Sequence, residues 1–139
     1  MCEDRIKSIR DDISLWIGRC GAAGLKLPQG LDLSNYRLRI ETQLKTARVA
    51  STDDKIFVDD VQKSCKNFFD LLDQAQIVCN SKKFMETSDS DQYVLVHHEY
   101  AGLAGIELNG SDGSDYSISN QISGYLQNQE VKKLAIKDL

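Results

Sequence analysis

The chain has 139 residues, 41% of them hydrophobic and 27% charged, the length and make-up of one globular domain with its own core. Its net charge is -4 and its 17 Lys and Arg are scattered, so the concentrated positive surface that a phosphate backbone demands is missing and no nucleic-acid partner is expected. No apolar run nears the roughly 20 residues of a transmembrane helix, and the single proline, Pro28, excludes a Pro-rich recognition segment.

Met1 and Cys2 followed by a charged EDR read as the start of a mature domain rather than as an export signal. Over residues 3 to 18, Ile6, Ile9, Ile13, Trp16 and Ile17 recur at steps of three and four, which predicts an amphipathic helix. Glu3 and Asp4 suit the positive end of its dipole, and Gly18, Gly21 and Gly24 offer stops. After LKLPQG, a second helix is expected with Ser34 as its cap and Tyr36, Leu38, Ile40 and Leu44 along it. The period then shortens. ARVAS and KIFVDD, parted by the turn-rich STDD, read as a pair of strands, and AQIVCNS as a third.

In ETSDSD, Ser88 is placed to cap a helix with Asp91 as its reciprocal partner. That helix carries Tyr93, Val94, Val96, His97, His98 and Glu99 into AGLAG, where Gly102 and Gly105 weaken or end it. NGSDGSD is a loop by composition and lacks the acid and glutamate spacing of an EF-hand. Ser117 or Ser119 is expected to cap a last helix with Ile118, Ile122, Tyr125 and Leu126 on one face, ahead of a tail over 127–139. The whole is a single α+β domain: residues 1–46 mainly helical, then a small sheet of about three strands with helices packed on it.

The four cysteines, Cys2, Cys20, Cys65 and Cys79, form no C-x-x-C and suggest no zinc ribbon. Cys2 and Cys20 flank a helix about 24 Å long, too far apart for the roughly 7 Å a disulfide allows between Cα atoms. A Cys65–Cys79 bridge, two bridges tying the first helix to the centre, and four reduced thiols in a cytosolic protein all remain open.

The stretch VLVHHEYAGLAGIE opens like the zinc-binding helix of a metallopeptidase. There, histidines at i and i+4 share one face, and the glutamate after the first activates a metal-bound water. Four residues after His98, however, stands Gly102, and a catalytic zinc takes three protein ligands. Glu107, Asp112 and Asp115 are further oxygen donors nearby, whereas His97 diverges from His98 by about 100° around the helix. Three chemistries fit: a buried His98–Glu99 pair that is purely structural, a metal held by His98 with Glu107 or the loop acids Asp112 and Asp115, or metal-free acid–base work by Glu99 and His98. Tyr100 and Tyr116 read as packing residues.

The run from CNSKKF through SDSDQYVLVHHEYAGLAGIE to YSISNQI resembles the C-terminal half of small exported bacterial proteins of unknown function. Those carry a strand, a helix with HEY-x-G-x-x-G-(I/V)-E, then Y-x-I-S, and look like degenerate zincins, the metallopeptidase superfamily with a strand followed by an HExxH helix. The likeness covers residues 45 to 123 and implies a zincin-like core over 47–126. It implies His98 and Glu99 at the positions of first ligand and general base, Gly105 as the turn after the helix, and Gly102 where the second ligand would stand. It also implies an exported or periplasmic protein without conventional zinc-peptidase activity and without a cofactor, acting by binding a protein or another component of the cell envelope. The alternatives are a metal-dependent hydrolase with His98 as zinc ligand, Glu99 as base and Glu107 or an acid of the 112–115 loop completing the shell, and a cytosolic protein-binding domain with reduced cysteines.

Overall fold

A computed structural model describes residues 2–19, 21–107, 109–110, 113–114 and 116–122. Helix α1 spans Cys2–Gly18, and its apolar stripe (Ile6, Ile9, Ile13, Trp16 and Ile17) is buried throughout, together with Cys2. A short 3-10 turn over Gly21–Gly24 leads to α2, Leu33–Thr46. The cap of α2 is Asp32 rather than Ser34, its side chain accepting from the Asn35 N–H at 2.7 Å. A charged oxygen at the positive helix end makes Asp32 the stronger cap. Tyr36, Ile40 and Leu44 are buried, whereas Leu38, two residues from Tyr36 and so on the opposite side, is 67% exposed.

The sheet is mixed. Strand β1, Arg48–Thr52, pairs in parallel with β5, Ala75–Asn80, and β4, Cys65–Phe69, closes the other side of β5 in antiparallel fashion, giving the order β1-β5-β4. The expected pairing of ARVAS with KIFVDD is therefore corrected. Strand β2, Ile56–Val58, instead forms a separate hairpin with β3, Val61–Lys63. Its two-residue turn sets Asp59 and Asp60 at φ 49° and 66°, the positive values that a tight hairpin turn requires. Cys65 and Cys79 stand directly opposite each other on β4 and β5 and are joined by a disulfide. Cys2 is a free buried thiol, and Cys20 lies outside the described residues. On β5, Ala75, Ile77 and Cys79 alternate inward and are buried, as period two demands.

Helix α3, Ser81–Glu86, starts on the side chain of Asn80, and α4, Asp89–Leu103, on that of Ser88, which accepts from the Asp91 N–H as expected. From Val96 to Ala101 six consecutive residues of α4 are buried, because α1, α2 and the sheet all pack against it. The helix ends where Gly105 takes φ 73°. Its backbone bends back so that Ile106 and Glu107 both donate to the Ala101 carbonyl, which returns Glu107 to the helix it has just left. A side chain at Gly105 would meet the positive φ as strain and the Arg39 guanidinium at 3.0 Å.

The NGSDGSD segment, expected as loop, contains two short paired strands, β6 at Asn109–Gly110 and β7 at Gly113–Ser114. Residues 119–122 are helical, with Ile118 and Ile122 buried. Asp112, Asp115, Tyr125 and Leu126 lie outside the described residues. Among the described residues no helix is long and apolar enough to cross a membrane.

Candidate functional site

Three ionisable residues in a row, His97, His98 and Glu99, sit in the enclosed middle of α4 and are at most 3% exposed. Successive positions turn by about 100°, so each meets a different neighbour. His97 faces Tyr36 of α2, His98 faces Glu107 on the returning chain, and Glu99 faces Asn67 of β4.

Hydrogen-bond direction follows from what each partner can offer. Glu107 is a carboxylate and only accepts. The Ser119 hydroxyl donates its one hydrogen to Glu107 Oε1, so Ser119 Oγ must accept from His97 Nδ1, 2.6 Å away. His97 Nε2 is then the bare nitrogen and accepts from the Tyr36 hydroxyl at 2.6 Å. The result is one directed chain, Tyr36 to His97 to Ser119 to Glu107, with every donor used once. Burial, reinforced by His98, lowers the His97 pKa to about 4 despite the pull of Glu107. Burial, and then Glu107, push the Tyr36 phenol up. Both shifts keep the two groups neutral, as the chain requires.

Glu107 is the hub. Its Oε1 accepts from His98 Nδ1 at 3.1 Å as well as from Ser119 Oγ, and its Oε2 accepts from the backbone N–H groups of Ile118 and Ser119, both at 3.0 Å. Burial pushes its carboxyl up, but the bonds from His98 and Ser119 outweigh that and hold it below the ordinary glutamate value. Four donors fill the four acceptor positions a carboxylate has, so Glu107 has no lone pair left for a cation. With Gly102 one turn beyond His98, a zinc on His98 and Glu107 does not fit this donor set. Among the described residues no group of three or more His, Cys, Asp or Glu is placed to hold a metal ion.

His98 also lines a cleft of about 50 Å³ between α4 and the β3–β4 edge, bordered by Lys63, Lys66 and Asn67 on one side and by His98, Glu99 and Tyr116 on the other. That is room for a few water molecules or one small polar group. The Tyr116 ring stacks on His98 with centroids 3.8 Å apart and planes 21° apart, fixing the imidazole from the side. Asn67 Nδ2 donates to Glu99 Oε2 at 3.2 Å. Burial raises the Glu99 pKa against the opposing effects of His98, Asn67 and Lys63.

No family model, no curated protein and no solved structure matches this chain. The geometry therefore carries the functional reading.

Of the residues singled out in the sequence, His98 and Glu107 are joined by a hydrogen bond, and Glu99 lines the cleft beside His98. Tyr116 packs as expected, against His98, and Tyr100 is fully buried. Sequence reasoning missed Tyr36, Asn67, Ser119 and the bonded role of His97. Their partners lie 61, 32, 12 and 22 residues away, separations that leave no periodic trace. The one available signal was three ionisable residues in succession inside an otherwise apolar helix.

Proposed function

We propose that the protein is an exported, zincin-like domain that recognises a small anionic group of a cell-envelope component through a metal-free cleft. The observation that carries this reading is the saturated Glu107 carboxylate, which serves His98 as a hydrogen-bond partner instead of serving a metal as a ligand. Lys63 and Lys66 on the cleft rim favour an anion. The Cys65–Cys79 bridge supports export, since disulfides persist in oxidising compartments. In chain order β5 is followed by the short α3 and then by α4, which bears His98-Glu99.

Acetate titrated into the isotope-labelled protein is expected to move the His98 and Asn67 signals saturably. Elemental analysis of protein purified without chelator is expected to give far less than one zinc per chain. One tightly held zinc, or no response of those two residues to acetate, contradicts the proposal.

A second reading has its own support. A Glu99 whose pKa burial raises, beside an imidazole aimed by Glu107, has the composition of an acid–base pair, which would make the protein a hydrolase without metal. Glu99→Gln then abolishes hydrolysis while leaving the melting temperature nearly unchanged. A Glu99→Gln protein that simply unfolds makes Glu99 structural.

A further inference from the structure

The connection between β4 and β5 ends in an apolar tip that no part of the fold uses. Leu71 and Leu72 are 106% and 90% exposed, and Phe68 and Phe69, which lead into the turn, are 38% and 49% exposed. Folding gains nothing from this exposure, and large exposed apolar groups gathered in one place mark an interaction site.

The tip is also rigid. Asp70 Oδ1 accepts from the N–H groups of Leu72 and Gln74, both at 2.9 Å, while Oδ2 accepts from Gln76 Nε2 at 3.0 Å. The Asp73 N–H closes the turn onto the Asp70 carbonyl, and Asp73 takes φ 62° to let β5 begin. Gln74 Nε2 ties the turn to the end of α2 by donating to the Thr46 carbonyl at 2.8 Å. The two leucines are thus presented in advance, with little ordering left for a partner to impose.

We propose that this tip inserts into the apolar layer of a phospholipid bilayer with electrically neutral headgroups, docking the protein at a membrane surface. Two observations choose the bilayer over a protein partner. A stable protein interface buries about 800 Å² on each side, and two leucines with parts of two phenylalanines offer on the order of half that. The leucines moreover sit in the turn that ends the β4–β5 hairpin, and a fluid bilayer needs no complementary rim around them. Charge selects the headgroup. Asp70 and Asp73 flank the leucines and the whole chain carries -4, so an anionic surface repels it. Arg48 acts on Asp70, and the Lys66 Nζ lies 5.1 Å from the Phe68 ring centroid.

The test is flotation of the oxidised 139-residue protein with phosphatidylcholine–phosphatidylethanolamine vesicles at millimolar lipid. The protein is expected to float reversibly, with binding insensitive to added salt and weaker when phosphatidylglycerol is included. The Leu71→Ser, Leu72→Ser double variant is expected to lose about 100-fold or more in partition coefficient with an unchanged circular dichroism spectrum. A Leu71→Trp protein supplies a second readout, a blue shift of its emission on adding vesicles. Wild-type protein that stays in the aqueous fraction, a double variant that floats equally well, or a Leu71→Trp emission that does not move overturns the proposal. A concentration-dependent dimer that the double variant abolishes, without flotation, overturns it in favour of a second copy of the chain.

Discussion

Replacing Ser119 by alanine removes one oxygen atom from the middle of the buried chain, and the consequences can be added up bond by bond. Glu107 loses a hydrogen bond to its charged carboxylate, a contribution of about 1.5–3 kcal/mol. His97 Nδ1–H, in a ring with no exposed surface, loses its acceptor, and an orphaned buried donor costs about 1–3 kcal/mol. Partial relaxation overlaps the two, so the expected destabilisation is about 3 kcal/mol. For a chain of this length that lowers the melting temperature by about 12 °C. Thermal and urea unfolding of the oxidised protein at neutral pH measure it, with Thr46→Ala as the control. The Thr46 hydroxyl bonds the Thr42 carbonyl on an exposed helix face, and its loss should cost a few tenths of a kcal/mol. If Ser119→Ala costs no more than Thr46→Ala, the directed chain does not hold the fold together and the bond directions assigned to it are wrong.

Stability is expected to fall as the pH drops from 6.5 to 4. The unfolded His97 takes up a proton below about 6.5, whereas the folded ring resists until about 4; at 1.36 kcal/mol per pH unit this amounts to about 3 kcal/mol, fully present above pH 6.5 and lost by pH 4. Glu107, held below its ordinary value, adds stability that is present above that value and lost further into acid. Glu99 runs the other way: its contribution is full below the ordinary glutamate value and declines as the pH rises toward its raised folded one, a decline that Glu99→Gln should remove. Urea midpoints across pH 2.5 to 8 check all three signs, and a flat profile contradicts them. Reduction of Cys65–Cys79, 14 residues apart in sequence, is expected to cost about 3 kcal/mol. Thiol counting of the unreduced, denatured protein should find no more than two of the four cysteines reactive, and four would mean that the bridge does not form.

What could be read in advance tracks the range of the forces involved. The α1 stripe and the Ser88 cap were legible because each is set within one or two turns of chain. The same local logic erred at α2, where Asp32 and Ser34 are both good caps two residues apart and only the charge of Asp32 separates them. Pairing β1 with β5 rather than with β2 depends on contacts 28 residues apart (Arg48 with Gln76), to which local alternation is blind. β4 was overlooked because CKNFF alternates weakly, with only Cys65 buried. At the site, the sequence suggested His98 and Glu107 as ligands of a common ion. The structure brings the two together but joins them directly, because the bend at Gly105 returns Glu107 to His98 while Ser119, from farther along the chain, completes the carboxylate's partners.

The central claim is that Glu107 collects the Nδ1 hydrogen of His98 directly and that of His97 through Ser119. Long-range nitrogen–proton NMR of the two imidazoles at neutral pH tests it in one spectrum. The account predicts a hydrogen on Nδ1 of both rings, with Nε2 of His97 bare. A bare Nδ1 on either ring contradicts it.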